Sequence, residues 1–228
     1  MYAKHHFYSL GLITFCVLLI VSATAGLRCA GQILAIMSEF IRIPRATPSW
    51  SSGRLWMLRV GYYKLTRAKE VADDWVWIVD HTIQSGNMKC LAVLGVRLSA
   101  LADRRDKPLS HEDVEPIALY PVRQSNGDIV YQQLDECIKK TGVPRQIVGD
   151  RGSDLKSGIE QFLEKHPQTA YVYDVKHFTA SILEDAFKSD LMWVEFTKWA
   201  SETRGTLHQT PLSYLEPPNQ RAKSRYMN

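Results

Sequence analysis

The chain has 228 residues, of which 45% are hydrophobic and 23% charged, and a formal net charge of +4. That length suits one large domain or a domain with a smaller companion. The composition excludes an intrinsically disordered chain, no repeat or low-complexity tract is present, and so mild a positive balance does not by itself identify a nucleic-acid binder.

Residues 10–25, LGLITFCVLLIVSATA, form an apolar run preceded by Lys4. It is shorter than the roughly 20 residues a bilayer span needs. A basic start, an apolar stretch and small residues at its end also fit a secretory leader. The preferred reading is a buried helix, because SATAG leads at once into a second helical pattern over 27–40. There Leu27, Ala30, Ile33, Leu34, Ile36 and Met37 recur at helical spacing. Two helices joined by a short glycine-containing turn make a helix-turn-helix candidate.

Between residues 42 and 69 the chain carries Arg42, Arg45, Arg54, Arg59, Lys64, Arg67 and Lys69 with no Asp or Glu among them. Clustered positive charge attracts phosphate by counterion release, although a solvated face or a linker looks the same. The end of the chain is basic as well, with Arg221, Lys223 and Arg225. Pro44 and Pro48 break the helical region, and Ser51 or Ser52 is expected to cap a helix over 54–65. Trp56, Tyr62 and Tyr63 in that helix serve either as core or as a stacking surface for nucleic acid.

From Trp75 the pattern changes. WVWIVD, residues 75–80, is a near-continuous apolar run that predicts a buried central strand ending in a carboxylate. A second strand is predicted over 88–98 after a turn at 85–87. A third follows over 116–122, placed near an edge by its prolines. A helix starts at Asn126-Gly127-Asp128, buries Val130, Leu134, Cys137 and Ile138 on one face, and stops at Thr141-Gly142. A short strand over 146–149 runs directly into Asp150. Ser153 or Asp154 is expected to cap the next helix, a fifth strand over 170–173 ends at Asp174, and residues after Thr179 read as helix to about Arg204.

The four cysteines, Cys16, Cys29, Cys90 and Cys137, show neither C-x-x-C nor zinc spacing. Cys90 and Cys137 lie in apolar patterns and read as small buried hydrophobes, which fits a reducing cytoplasm and no membrane partner.

The predicted order is βββαβαβα, an α/β arrangement with a mixed sheet of the RNase H-like kind, preceded by a small helical, helix-turn-helix-like region. In that order the first and fourth strands are sheet neighbours. Asp80 and Asp150, 70 positions apart, then meet. Cutting a phosphodiester requires an activated hydroxyl and a stabilised leaving oxygen, which hard divalent cations supply. Such cations prefer oxygen ligands, so carboxylates at rigid strand ends suit them. A strand-end Asp that merely caps a turn or pairs with an arginine is the simpler alternative. Asp174 with His177 forms a D-x-x-H that could face the same metal or phosphate, and Lys176 could point to phosphate.

DDWVWIVDHT, VPRQIVGDRGSDLKSGI, YVYDVKHF and PPNQRAKSRYMN resemble a group of bacterial insertion-sequence transposases of the DDE class, and the resemblance extends over most of the chain. It implies an RNase H-like fold and DNA strand cleavage and transfer with Mg²⁺ or Mn²⁺. The implied partners are the element's terminal repeats and target DNA, with a homodimer or larger assembly on DNA. Asp80 and Asp150 match the first two acids of the triad and would be the metal ligands. Asp174 and His177 match the D-x-x-H that follows the fifth strand.

The third acid departs from that pattern. Glu184 lies 34 positions after Asp150, Glu195 and Glu202 are further candidates, and the chain stops at Asn228 directly after a basic motif. The expectation is therefore a C-terminally truncated copy. It divides into a helical DNA-binding region over 1–70, a catalytic core over 71–180 and a helical segment over 181–228. A non-catalytic DNA-binding remnant and another RNase H-like nuclease are the competing readings.

Overall fold

The computed structural model describes residues 7–41, 47–85, 88–102, 108–110, 112–150 and 152–218. The side chains at 82–85, 176 and 177 lie outside that description. So do Arg42 and Arg45 of the basic stretch, the 86–87 portion of the first hairpin turn, and Arg221, Lys223 and Arg225. The chain forms two compact units, Met1–Ala68 and Lys69–Asn228.

The first unit has three helices: α1 (Leu10–Val21), α2 (Leu27–Phe40) and α3 (Trp50–Thr66). Ser9 opens α1 by accepting the Leu12 amide, and the SATAG turn separates α1 from α2. Cys16, Leu34 and Trp56, one from each helix, form a small core, with Leu12, Ile13, Val17 and Ile20 packed around it. Tyr8 meets the Trp56 ring edge-on at 5.4 Å. The cap of α3 is Ser49, not Ser51 or Ser52, and the helix starts at Trp50 rather than at 54. Ser49 is still extended and helical geometry begins at Trp50, so Ser49 is the residue whose oxygen reaches the Ser52 amide, at 3.3 Å. No helix among the described residues is long and apolar enough to cross a membrane.

The second unit is a mixed α/β structure around a five-stranded sheet. Its strands are β1 (Trp75–Ser85), β2 (Met88–Arg97), β3 (Glu115–Val122), β4 (Gln146–Gly149) and β5 (Ala170–Tyr173), in the spatial order β3-β2-β1-β4-β5. β1, β2 and β3 pair antiparallel, whereas β4 and β5 run parallel to β1. A four-residue helix, α4 (Leu98–Leu101), follows β2. α5 (Gly127–Thr141) precedes β4, α6 (Ser153–Lys165) precedes β5, and α7 (Val175–Phe187) and α8 (Leu191–Leu207) come after it.

Alternation along β1 explains the core. Trp75, Trp77 and Val79 point to one sheet face and bury against Val130, Leu134, Leu155, Ile159 and Phe162 of α5 and α6, while Val76, Ile78 and Asp80 fall on the other face and are only half-buried. α5 and α6 cross closely at Gly158, where a β-carbon would come within 2.5 Å of Val130 Cβ and 2.8 Å of the Gly127 carbonyl. α5 ends at Gly142, whose φ of 82° is a left-handed conformation that favours glycine.

Three further expectations need correction. β1 does not end at Asp80: β2 continues to pair opposite Asp80, His81 and Thr82, so the ladder outlasts the apolar run. β2 ends at Arg97, and Leu98 opens α4. The C-terminal helical stretch begins at Val175 and is interrupted before Asp190, which caps α8 by accepting the Trp193 amide. β3 does lie at an edge of the sheet.

Candidate functional site

Three aspartates stand abreast across the parallel half of the sheet. Val79 pairs with Gly149, and Gly149 pairs with Tyr173. The next residue on each strand is Asp80, Asp150 and Asp174. Adjacent strands lie about 4.8 Å apart, so residues 70 positions apart in sequence become neighbours. The Asp174 amide donates to the Gly149 carbonyl at 3.0 Å, which extends the row beyond the regular ladder. This row lies where parallel strands deliver their carboxyl ends, the usual place for ligand sites in such sheets.

Asp80 is paired with Ala92 of β2 on one side of its strand, and on the other side the β4 ladder ends at the preceding residue, Val79. Asp80 Oδ1 is buried and accepts no hydrogen bond among the described residues. Leaving a carboxylate oxygen buried in this way is costly unless a cation completes it. Asp150 leaves β4 into GDRGSD. Its Oδ1 accepts the Gly152 amide at 3.0 Å, and its main-chain carbonyl accepts the Tyr171 hydroxyl at 2.7 Å. Gly152 is where these carboxylates crowd the backbone: a β-carbon there would lie 3.1 Å from Asp150 Oδ1 and 3.5 Å from Asp154 Oδ1.

The remaining predicted residues are spread more widely. His177 lies in the first turn of α7, and its side chain is outside the described part. Glu184 is exposed on α7, ten positions past Asp174, which is about 15 Å along a helix at 1.5 Å per residue. Glu195 and Glu202 are exposed on α8. Among the described residues no three His, Cys, Asp or Glu side chains gather as a metal-binding group. Two hard oxygen donors still fit Mg²⁺ or Mn²⁺, because such ions are commonly held by one or two carboxylates with water and substrate phosphate in the other positions.

Of the basic residues, Arg54, Arg59, Lys64 and Arg67 are exposed on α3 or at its C-terminal end, with Tyr62 and Tyr63 exposed beside them. Trp56 is core. The side chain of Lys69 is only 2% exposed and its ammonium meets Glu115 at 3.3 Å, so this lysine stabilises the second unit rather than a phosphate-binding face. Within the first unit the positive charge sits on α3. Among the described residues, α1 carries no basic side chain and α2 only Arg28.

Sequence reasoning assigned Asp154 to capping and passed over its partners. In the structure Gly152 occupies the cap position of α6 and makes no side-chain cap, while Asp154 Oδ1 accepts the Leu155 amide at 3.0 Å. The other oxygen, Oδ2, lies 3.7 Å from His81 Nδ1 and 3.4 Å from Lys89 Nζ. The Ser125 hydroxyl shares a 3.1 Å hydrogen bond with His81 Nε2. Burial would raise the Asp154 carboxyl, but the Ser125 hydroxyl, His81, the Leu155 amide and Lys89 outweigh it and hold the group below the usual carboxylate range. The alternation that places Asp80 on one face of β1 places His81 on the other, facing the start of α6.

No family model matches the chain, and no curated protein matches it. Among solved structures it is similar to a chain in the cryoEM structure of a simian T-cell lymphotropic virus intasome in complex with PP2A regulatory subunit B56 gamma. The identity is 14% and the TM-score 0.32 over 64% of this chain, and the match spans 45% of that chain. A superposition of that quality establishes neither fold family nor activity.

Proposed function

We propose that the chain is a DNA strand-cleaving and strand-transferring protein of the DDE transposase type, with an RNase H-like core. In this reading Asp80 and Asp150 hold a divalent cation, Mg²⁺ or Mn²⁺. The observation that carries it is the row of aspartates following the Val79–Gly149 and Gly149–Tyr173 pairs, with a buried, unsatisfied oxygen on Asp80. The sheet order, with antiparallel β3-β2-β1 and parallel β4 and β5, supports the same reading.

When bound, the cation supplies charge stabilisation for the attacking and leaving oxygens of a phosphodiester. The protein's own part is positional. β2 pairs with Asp80 and β4 with the preceding Val79, and Tyr171 and Gly152 fix Asp150 through its carbonyl and its carboxylate. Asp174 extends the row, and His177 follows it in the first turn of α7.

The direct test is Mn²⁺ calorimetry on the full chain beside Asp80→Asn and Asp150→Asn. Saturable binding that both substitutions abolish supports the site. A folded parent chain that binds no Mn²⁺ overturns it. Cleavage of DNA carrying terminal inverted repeats, in a cytoplasmic extract and in purified form, then tests the activity.

A non-catalytic DNA-binding protein has its own supporting observation. Arg54, Arg59, Lys64 and Arg67 are exposed along α3 with Tyr62 and Tyr63, and an aromatic–basic surface of this kind suits backbone contact and base stacking. It predicts binding that weakens steeply with salt and is indifferent to Asp80→Asn. In that case an Arg54→Ala/Arg59→Ala double variant lowers the salt slope by about 2.

A further inference from the structure

The Asp154 cluster is absorbed by neither reading. It draws on four separate parts of the chain: His81 from β1, Lys89 from β2, Ser125 from the segment before α5, and Asp154 from the first turn of α6. Asp154 lies four residues beyond Asp150, across a turn that contains Gly152. The side chains of Asp154 and His81 are largely buried, at 15% and 16% exposure, so their contact is sheltered from water, whereas Lys89 is half-exposed.

A helix cap needs only one of these contacts. Asp154 already satisfies the Leu155 amide with Oδ1, and its second oxygen is directed to the His81 imidazole and the Lys89 ammonium on two sheet strands. Ser125 bonds the far nitrogen of the His81 imidazole and so braces that ring against the carboxylate. The start of α6 is thereby fixed to β1 and β2, which are otherwise connected to it only through the core. The segment held between this anchor and the end of β4 is the one that presents Asp150, whose carboxylate bonds the Gly152 amide within the same turn. A side chain at Gly152 would press on the Asp150 carboxylate, which lies 3.1 Å from an added β-carbon.

We propose that Asp154 is a positioning residue for Asp150: clamped by Lys89 and by His81, which Ser125 braces, it fixes the turn through Gly152 and so the direction of the Asp150 carboxylate. The functional consequence rests on the assignment of Asp150 as a cation ligand, whereas the positioning itself does not.

The experiment therefore uses two measurements on the full chain. Amide exchange of Gly152, relative to Ile147 and Val148 in β4, reports the turn without metal. Mn²⁺ affinity reports its consequence. Asp154→Ala should raise Gly152 exchange at least tenfold while the β4 amides stay protected, and should weaken Mn²⁺ binding about tenfold. Lys89→Met and Ser125→Ala each remove one tie and should give smaller changes in the same direction, which keeps the test open if Asp154→Ala does not fold. Asp154→Asn, which keeps the hydrogen-bonding shape without the charge, should fall between Asp154→Ala and the parent. Unchanged Gly152 exchange in the folded variants overturns the proposal. A parent chain that binds no Mn²⁺, but whose Gly152 exchange still responds to Asp154→Ala, removes the cation assignment and leaves the positioning role standing.

Discussion

The Tyr171 hydroxyl donates to the main-chain carbonyl of Asp150 at 2.7 Å, so a side chain on the edge strand holds the backbone of the residue that follows its neighbour. Tyr171→Phe removes that donor and keeps the ring. It should lower unfolding free energy by about 1 kcal/mol, the usual net value of one such bond. It should also weaken Mn²⁺ binding several-fold. Chemical denaturation and calorimetry on the same preparation check both effects. Unchanged affinity would mean that the Asp150 backbone is fixed without Tyr171.

Asp80 should show the opposing demands of stability and chemistry. Its buried, unsatisfied oxygen makes the ionised side chain a cost in the cation-free protein. Asp80→Asn should therefore raise stability by about 1 kcal/mol without divalent cation and abolish the stabilisation that Mn²⁺ gives the parent. Thermal unfolding with and without Mn²⁺ separates the two effects. A variant less stable than the parent in the absence of cation would show that the carboxylate has a structural partner.

Asp74 gives an acid-limited component of stability. Burial alone would raise its carboxyl, but bonds from Ser99 and Arg97 and the Arg97 charge prevail and lower it from 3.8 to about 2. A depressed carboxyl contributes stability above its unfolded value and loses it as pH falls through the folded value. The loss should therefore run from about pH 4 down to about pH 2. Arg97 also pairs with Glu70 at 2.6 Å and lies over the Trp75 ring, which locks the start of β1 to the end of β2. Asp74→Asn should flatten this acid limb in a pH series of denaturant midpoints. An identical limb in the variant would place the acid sensitivity elsewhere.

Gly158 tests the packing of α5 on α6. A methyl group there meets Val130 at 2.5 Å and the Gly127 carbonyl at 2.8 Å, and backbone cannot yield as a flexible side chain can. Gly158→Ala should cost about 3 kcal/mol, at the upper end for overpacking. Gly205, in α8, has nothing within 4 Å of an added β-carbon and supplies the control. Its alanine variant should be neutral or slightly stabilising.

Much of the second unit was legible because its pattern is repetitive and local. The apolar period of WVWIVD, the Asn126 start and Gly142 stop of α5, and the brief β4 all report their own surroundings through composition. The true end of β1 was not legible, because the strand is prolonged by pairing with β2 after the apolar residues give out. Ser49 was passed over as a cap because three serines near the helix start offer similar chemistry, and only the backbone turn chooses among them. The Asp154 cluster was invisible for a different reason. Its members are drawn from positions 81, 89, 125 and 154, and no spacing rule links them until the sheet is assembled. Lys69 read as part of a basic run, yet burial against Glu115 removes it from the surface.

β3 forms one border of the sheet and carries Pro116 and Pro121, each without an amide hydrogen. A foreign strand approaching that border would find its hydrogen-bond ladder interrupted at two places in eight residues. The opposite border is β5, only four residues long. Neither side is a good template for adding strands from another molecule, so this protein should resist growing into sheet-extended aggregates. At these two borders, self-association would be built from side-chain surfaces and not from shared backbone.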